Sequence, residues 1–298
     1  MNIVCVKLDG GRMNWSKAKN ILIVAFIATN LFLLYEIFVE SDENKDITIS
    51  NEFINKVVEI LDTKNISINC SIPKEKPSKS LLTVRYQVYN SQTSRNNLAD
   101  KFLKNYVIIN DYKNNALIYK DTGKTLTIKN NNEITYKNYE NNKFEVTNFD
   151  KQELENICTE FLEEKEFSTD DYKLTNFSKQ GDKYILQYTK FHEDILIEES
   201  YMIFEIGKNG IQTFKRKWLD IVKTKKSQIV IRSAPDVLLR LLSREDIYGK
   251  SIEDIDICYY FSSYKASSNY YQYAIEGDAV PAWRIQMKDG QVIVLEEY

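Results

Sequence analysis

The chain holds a single histidine, His192, in the segment Thr189-Lys-Phe-His-Glu-Asp194. Work as a base, a metal ligand or a pH switch would require partners for it. One imidazole cannot build a multi-histidine zinc site, and no recognisable nucleophile motif is present for it to serve. It reads as a surface residue between two strands. The four cysteines, Cys5, Cys70, Cys158 and Cys258, show no Cys-x-x-Cys spacing, so neither a metal site nor a dithiol redox pair has support. They sit in apolar periodic stretches and read as buried thiols. Carboxylates recur in clusters, Glu163-Glu164, Glu198-Glu199, Glu253-Asp254 and Asp256. Two of them across a sugar would suit glycoside hydrolysis; as sequence they read as solvated faces of helices and strands. No glycine-rich phosphate loop, dinucleotide fingerprint or His-Glu-x-x-His is present. No catalytic, cofactor-binding or metal-binding residue is therefore assigned, and no cofactor is expected. The basic run Lys215-Arg216-Lys217, with Lys223, Lys225 and Lys226, reads as a solvated strand edge or as a patch for anionic headgroups or wall polymer.

The elements that would carry these residues begin with an apolar run. Ile21 to Val39 reads ILIVAFIATNLFLLYEIFV. At helical rise this spans roughly 28 Å, close to the hydrocarbon thickness of a bilayer. Lys7, Arg12, Lys17 and Lys19 precede it, and Glu40, Asp42 and Glu43 follow. Lysine and arginine mark the cytoplasmic side, so the pattern predicts a transmembrane helix over 21–39, a cytoplasmic tail over 1–20 and the remaining mass outside the cell. The segment after it offers no small-x-small cleavage site, which favours an uncleaved anchor. Gly10-Gly11-Arg12 can be encoded by a purine-rich stretch resembling a ribosome-binding site. It predicts a start at Met13, with residues 1–12 a gene-model extension. Within the run, Phe26, Ile27, Asn30, Leu33 and Leu34 share one helical face. An asparagine in hydrocarbon needs a partner: either a second helix, across a bond worth about 1 kcal/mol, or a carbonyl of its own helix.

The chain of 298 residues is 43% hydrophobic and 28% charged, ordinary for a folded protein. A net charge of -3 gives no global basic field for nucleic acid. Beyond the anchor the pattern is a helix followed by antiparallel strands, twice over, which is α+β. The first unit, 40–149, opens with an amphipathic helix over Asn51–Leu61 burying Phe53, Val57, Ile60 and Leu61. Alternating strands follow over Ile66–Ile72 and Leu82–Val88, then a short helix with Leu98, Phe102 and Leu103. Strands are expected near Ala116–Lys120, Thr125–Lys129, Glu133–Lys137 and Phe144–Thr147. The second unit, 150–298, opens with a helix capped by Asp150, with Glu153 completing a capping box. Strands then fall at Tyr172–Phe177, Tyr184–Tyr188, Ile195–Ile206 and Ile211–Leu219. A helix begins at Ser233 and buries Val237, Leu238, Leu241 and Leu242. Four last strands are expected near Ile255–Phe261, Tyr270–Ile275, Ala282–Met287 and Gln291–Leu295.

Two stretches carry a family resemblance. Asn14-Trp-Ser-Lys-Ala-Lys-Asn-Ile-Leu-Ile-Val-Ala-Phe26, followed by Asn30-Leu-Phe-Leu33, resembles the opening of the YycI family. Ile255–Phe261 followed by Pro281-Ala-Trp283-Arg284-Ile285 is similar to that family's late strand and Pro-x-Trp-Arg element. The resemblance implies a non-enzymatic accessory regulator of the WalK/WalR (YycG/YycF) two-component system of cell-wall metabolism. It implies the sensor histidine kinase and a YycH-type protein as partners, one membrane helix, and an α+β domain outside the cell. Two other classes predict different features. An anchored binding or inhibitor module predicts a deep pocket or an exposed strand edge. A cell-wall enzyme predicts a cleft in which two acids converge.

Overall fold

A computed structural model describes residues 15–43, 49–140, 150–262 and 274–296, with side chains of the first helix described over 19–34. The segment 1–14 and the strand expected at Phe144–Thr147 lie outside the described residues, as does most of the strand expected at Tyr270–Ile275. Two compact units result, one over 1–48 and one over 49–298.

In the first unit, α1 runs from Trp15 to Glu43, 29 residues. Among the described residues no helix is long and apolar enough to cross a membrane; residues 19–34 by themselves cover only about 24 Å at helical rise.

The second unit starts at α2 (Asn51–Asp62), capped by Ser50, whose hydroxyl accepts from the Phe53 N–H. Val57 and Leu61 face inward, whereas Ile60, expected in the core, is exposed. The apolar stripe of this helix is narrower than the sequence suggests. After it come β1 (Ser67–Ile68), β2 (Ser78–Tyr86), α3 (Gln92–Phe102), β3 (Val107–Asp111), β4 (Ala116–Asp121), β5 (Lys124–Lys129) and β6 (Glu133–Asn138). The alternation at Ile66–Ile72 yields only the two-residue β1, which pairs in parallel with a late strand before Pro73 and Pro77 break the ladder. Asp150 caps α4 (Lys151–Glu164) with the expected reciprocal Glu153 bond. Then follow β7 (Tyr172–Gln180), β8 (Lys183–His192), β9 (Ile195–Gly207), β10 (Gly210–Lys217) and β11 (Leu219–Val230). Next are α5 (Ala234–Leu238), which passes into 3₁₀ turns, then β12 (Ser251–Tyr260), β13 (Glu276–Met287) and β14 (Val292–Leu295).

The mixed α+β expectation holds, with the fourteen strands among the described residues in one hydrogen-bonded sheet. Its main path is β11-β2-β13-β12-β9-β10-β6-β5-β4-β3, with β8 and β7 stacked beyond β9 on the other side. One core cluster joins α3, α4 and strands β4 to β10, from Leu98 to Trp218. Another joins α2, α5 and strands β12 to β14. A third links β2 with the ends of β9, β12 and β13. Residues on both sides of 149 share the first cluster, because β6 pairs with β10.

The junction of the sheet is β9. Its start, Leu196 and Ile197, pairs in parallel with Cys258 and Tyr259 of β12. Its end, from Tyr201 to Gly207, pairs with β10. Glu198, Glu199 and Ser200 lie where the two partners part.

Candidate functional site

On α1 every described side chain, over 19–34, is exposed, so burial does not single out one face. Phe26, Ile27, Leu33 and Leu34 are exposed, and so is Asn30. Asn30 Nδ2 donates to the carbonyl of Phe26 at 2.9 Å, and Thr29 Oγ1 to that of Ala25 at 2.8 Å. Of the two partners open to Asn30 from sequence, the one bonded here is a carbonyl of its own helix. A carboxamide has two N–H donors and an acceptor oxygen, so a second N–H and Oδ1 remain for a neighbour.

In the second unit the charged residues are organised by β9. Glu198 accepts from Arg284 Nε at 2.5 Å, the two side chains being 10% and 4% exposed. Arg284 also donates to Gln286 at 2.8 Å. Burial raises the Glu198 carboxyl above its ordinary value; Arg284 opposes that rise and Glu199 adds to it. Glu199 meets Lys217 Nζ at 2.7 Å and accepts from the Tyr86 hydroxyl at 3.4 Å. Ser200 Oγ accepts from the Leu219 N–H at 3.0 Å. Three consecutive residues of β9 thus tie down β13, β10, β2 and β11. This corrects the reading of Glu198-Glu199 as a solvated face. The parting of β12 and β10 removes ladder partners at that point, and side-chain bonds replace them.

The Lys215-Arg216-Lys217 part of the basic run is corrected in the same way, whereas Lys223 and Lys226 lie exposed on the edge strand β11 as read. Since β10 is flanked by β9 and β6, Lys215 pairs with Glu133 at 3.3 Å and Lys217 with Glu199. Arg216 is buried, with its guanidinium 4.5 Å from the Phe167 ring centroid and 4.9 Å from that of Trp218. It donates to Gln87 at 2.8 Å, and burial lowers its pKa to about 10. Lys190 pairs with Asp171 beside it and lies over Trp218. Sequence reasoning missed this cluster. Its one legible sign is a tryptophan directly after a basic run, since aromatic faces hold cations.

His192 ends β8, and its Nε2 is buried with no hydrogen-bond partner. Cys158 and Cys258 are buried and free. Burial pushes the Cys158 thiol up to about 12 and the Cys258 thiol well above its ordinary value. Since the thiolate is the reactive form, both are expected to resist an aromatic disulfide reagent at pH 8 until denaturant is added. Mass mapping of the labelled sites checks this; label on native Cys258 would contradict it. Among the described residues no group of three or more His, Cys, Asp or Glu could hold a metal.

A cleft of about 330 Å³ lies beside α4, lined by Tyr136, Phe161, Glu160, Glu164, Lys124 and Lys165 among others. Glu160 and Glu164 stand one turn apart on the same helix, so both occupy one wall. Glycoside hydrolysis needs carboxyls flanking the scissile bond, a placement this pair lacks. Among the open strand edges of the described residues are β3 and β11, at the two ends of the main path. β3 carries exposed Val107, Ile108 and Ile109. β11, paired only with β2, carries exposed Lys223 and Lys226.

The class defined is a sheet-based α+β protein whose buried charges are spent on holding strands together. The chain belongs to the YycI family: the sequence profile of the YycI protein matches residues 44–297. No curated protein matches. Similar solved structures include an uncharacterized protein from Eubacterium rectale, with 13% identity and a TM-score of 0.47 over 78% of this chain and 89% of that one. YycH from Bacillus subtilis is another, at 16% identity and a TM-score of 0.47, over 76% of this chain and 56% of that one. The Bacillus megaterium YpeB C-terminal domain gives 10% identity and a TM-score of 0.35, over 71% of this chain and all of that domain.

Proposed function

We propose that this protein is a membrane-anchored accessory regulator of a WalK (YycG)-type sensor histidine kinase, acting with a YycH-type protein and without catalysis of its own. Family membership over residues 44–297 carries the reading. The apolar run over 21–39, with Lys17 and Lys19 before it and Glu40, Asp42 and Glu43 after it, supports an anchor with a cytoplasmic N-terminus and an extracellular domain. In this reading the face of Phe26, Ile27, Asn30, Leu33 and Leu34 packs on a partner helix in the membrane. Asn30 supplies its spare N–H and oxygen across that contact, while the outer domain makes a second one. Such a regulator shifts the kinase between signalling states only by the difference in its affinity for them.

The test is in vivo crosslinking and recovery of the full-length protein beside an Asn30→Leu variant. The expected result is a membrane histidine kinase recovered with the native chain and several-fold less with the variant, about 1 kcal/mol of helix contact being lost. Equal recovery would move the contact to the outer domain. Recovery of wall enzymes or glycan and no kinase would overturn the regulator.

A further inference from the structure

We infer that the basic edge formed by residues 74–79 and β11 binds the phosphate-bearing headgroups of an anionic membrane surface. The inference rests on the anchor proposed above and adds a contact to it.

The register brings the lysines of two chain segments together. Lys79 faces Ile229, Ser80 faces Gln228 and Thr83 faces Lys223, while Lys225, Lys226 and Ser227 bulge out between the paired stretches. The Ile231 N–H donates to the Pro77 carbonyl at 3.1 Å, which holds the Lys74-Glu-Lys76 loop at the end of this ladder. Lys74, Lys76, Lys223 and Lys226 are exposed, and Lys79 is partly so. The acids that face the patch are few and mostly engaged. Asp278 holds Lys225 at 2.5 Å, Glu276 holds Arg85 at 2.5 Å, Asp220 at the start of β11 accepts from Gln87 at 2.9 Å, and Glu75 stands between Lys74 and Lys76. A surplus of positive charge remains on one edge of a chain whose net charge is -3. Val222 and Val230 on the same strand are 47% and 61% exposed. Lysines interleaved with exposed valines suit a headgroup layer, where charge meets phosphate and short apolar side chains enter the boundary.

Position selects the membrane over a soluble polyanion. Ile49, the first described residue of this unit, donates its N–H to the Lys74 carbonyl at 3.5 Å. In sequence only residues 44–48 lie between the end of α1 and Ile49, so the chain coming from the proposed anchor enters this unit at the lysine loop. Each lysine near an anionic surface strengthens contact about fivefold.

The test reconstitutes the full chain into lipid discs of phosphatidylcholine alone or mixed with phosphatidylglycerol, and follows amide hydrogen exchange. Exchange over 74–80 and 222–229 is expected to slow in the anionic discs. High salt, which screens surface charge, should reverse that slowing, as should the triple variant Lys79→Gln, Lys223→Gln, Lys226→Gln. Equal exchange in both discs, with the chain inserted, would overturn the inference and leave the anchor standing. A chain found outside the discs would overturn the anchor. Protection by soluble polyphosphate in neutral discs, with none from anionic lipid, would assign the edge to a polymer and overturn the membrane contact.

Discussion

Replacement of Arg284 by methionine is expected to lower the stability of the folded protein by about 3–5 kcal/mol, because it leaves Glu198 buried and unpaired. In a domain of this size that corresponds to a fall in Tm of about 10 °C, read by thermal denaturation followed by circular dichroism. The geometry explains the magnitude. Arg284 and Glu198 are almost fully enclosed and 2.5 Å apart, and Gln286 shares the guanidinium. Methionine fills much of the volume without supplying a donor. The pH dependence gives a second check. A carboxyl raised in the folded state holds its proton more tightly folded than unfolded. Its contribution favours folding below the unfolded value and is lost as pH rises through the folded one. Burial raises Glu198, and loss of Arg284 raises it further. The penalty should therefore be full at neutral pH and shrink towards pH 4, where Glu198 takes up a proton. Adding Glu198→Gln to the variant should restore part of the loss. An Arg284→Met protein with native Tm at pH 7 would show that the pair does not hold the junction of β9 with β13.

Phe204→Ala carries the other large expected effect, again about 3–5 kcal/mol, from lost transfer energy and the cavity left behind. Phe204 is fully buried on β9. Its ring centroid lies 4.8 Å from that of Phe214 and 5.9 Å from those of Phe161 and Tyr188. It therefore joins α4 to three strands, and off-centre ring contacts of this kind add to simple burial. Urea unfolding monitored by tyrosine and tryptophan fluorescence measures the loss. Phe204→Leu, which refills most of the cavity, should recover more than half of it. Since residues 49–298 form one compact unit, both variants should unfold in a single transition. Two separated transitions would mean that the cores on the two sides of β9 fold independently.

How much was legible beforehand varies with the range of the interaction. Local chemistry reads directly from sequence: Asp150 and Glu153 announce the reciprocal cap of α4, because both bonds close within one turn. The hairpin at Asp289-Gly290 reads equally well, because the chain there needs the left-handed conformation that Gly290 adopts at φ 86°. Boundaries were harder. The single strand expected at Ile211–Leu219 divides at Trp218, where the chain leaves β6 and joins β2 as β11. Nothing in the local alternation marks a change of partner. β3 was missed as well, since its unbroken apolar run lacks the period of a half-buried strand.

The charged residues make the same division. By itself the sequence determined that there is an apolar run flanked by unlike charges, that the rest is α+β, that a single histidine and four unpaired-looking cysteines supply little chemistry, and that both ends resemble YycI proteins. Only the tertiary structure decided which charges are buried. Glu198 and Arg284 are 86 residues apart, and Glu199 and Lys217 meet only because β10 folds back on β9. Whether a carboxylate or a lysine faces water depends on which strand lies beside it, and that is set by long-range pairing. Hence Lys215, Arg216 and Lys217 went into the sheet, whereas Lys223 and Lys226, a few residues further on, stayed on an open edge.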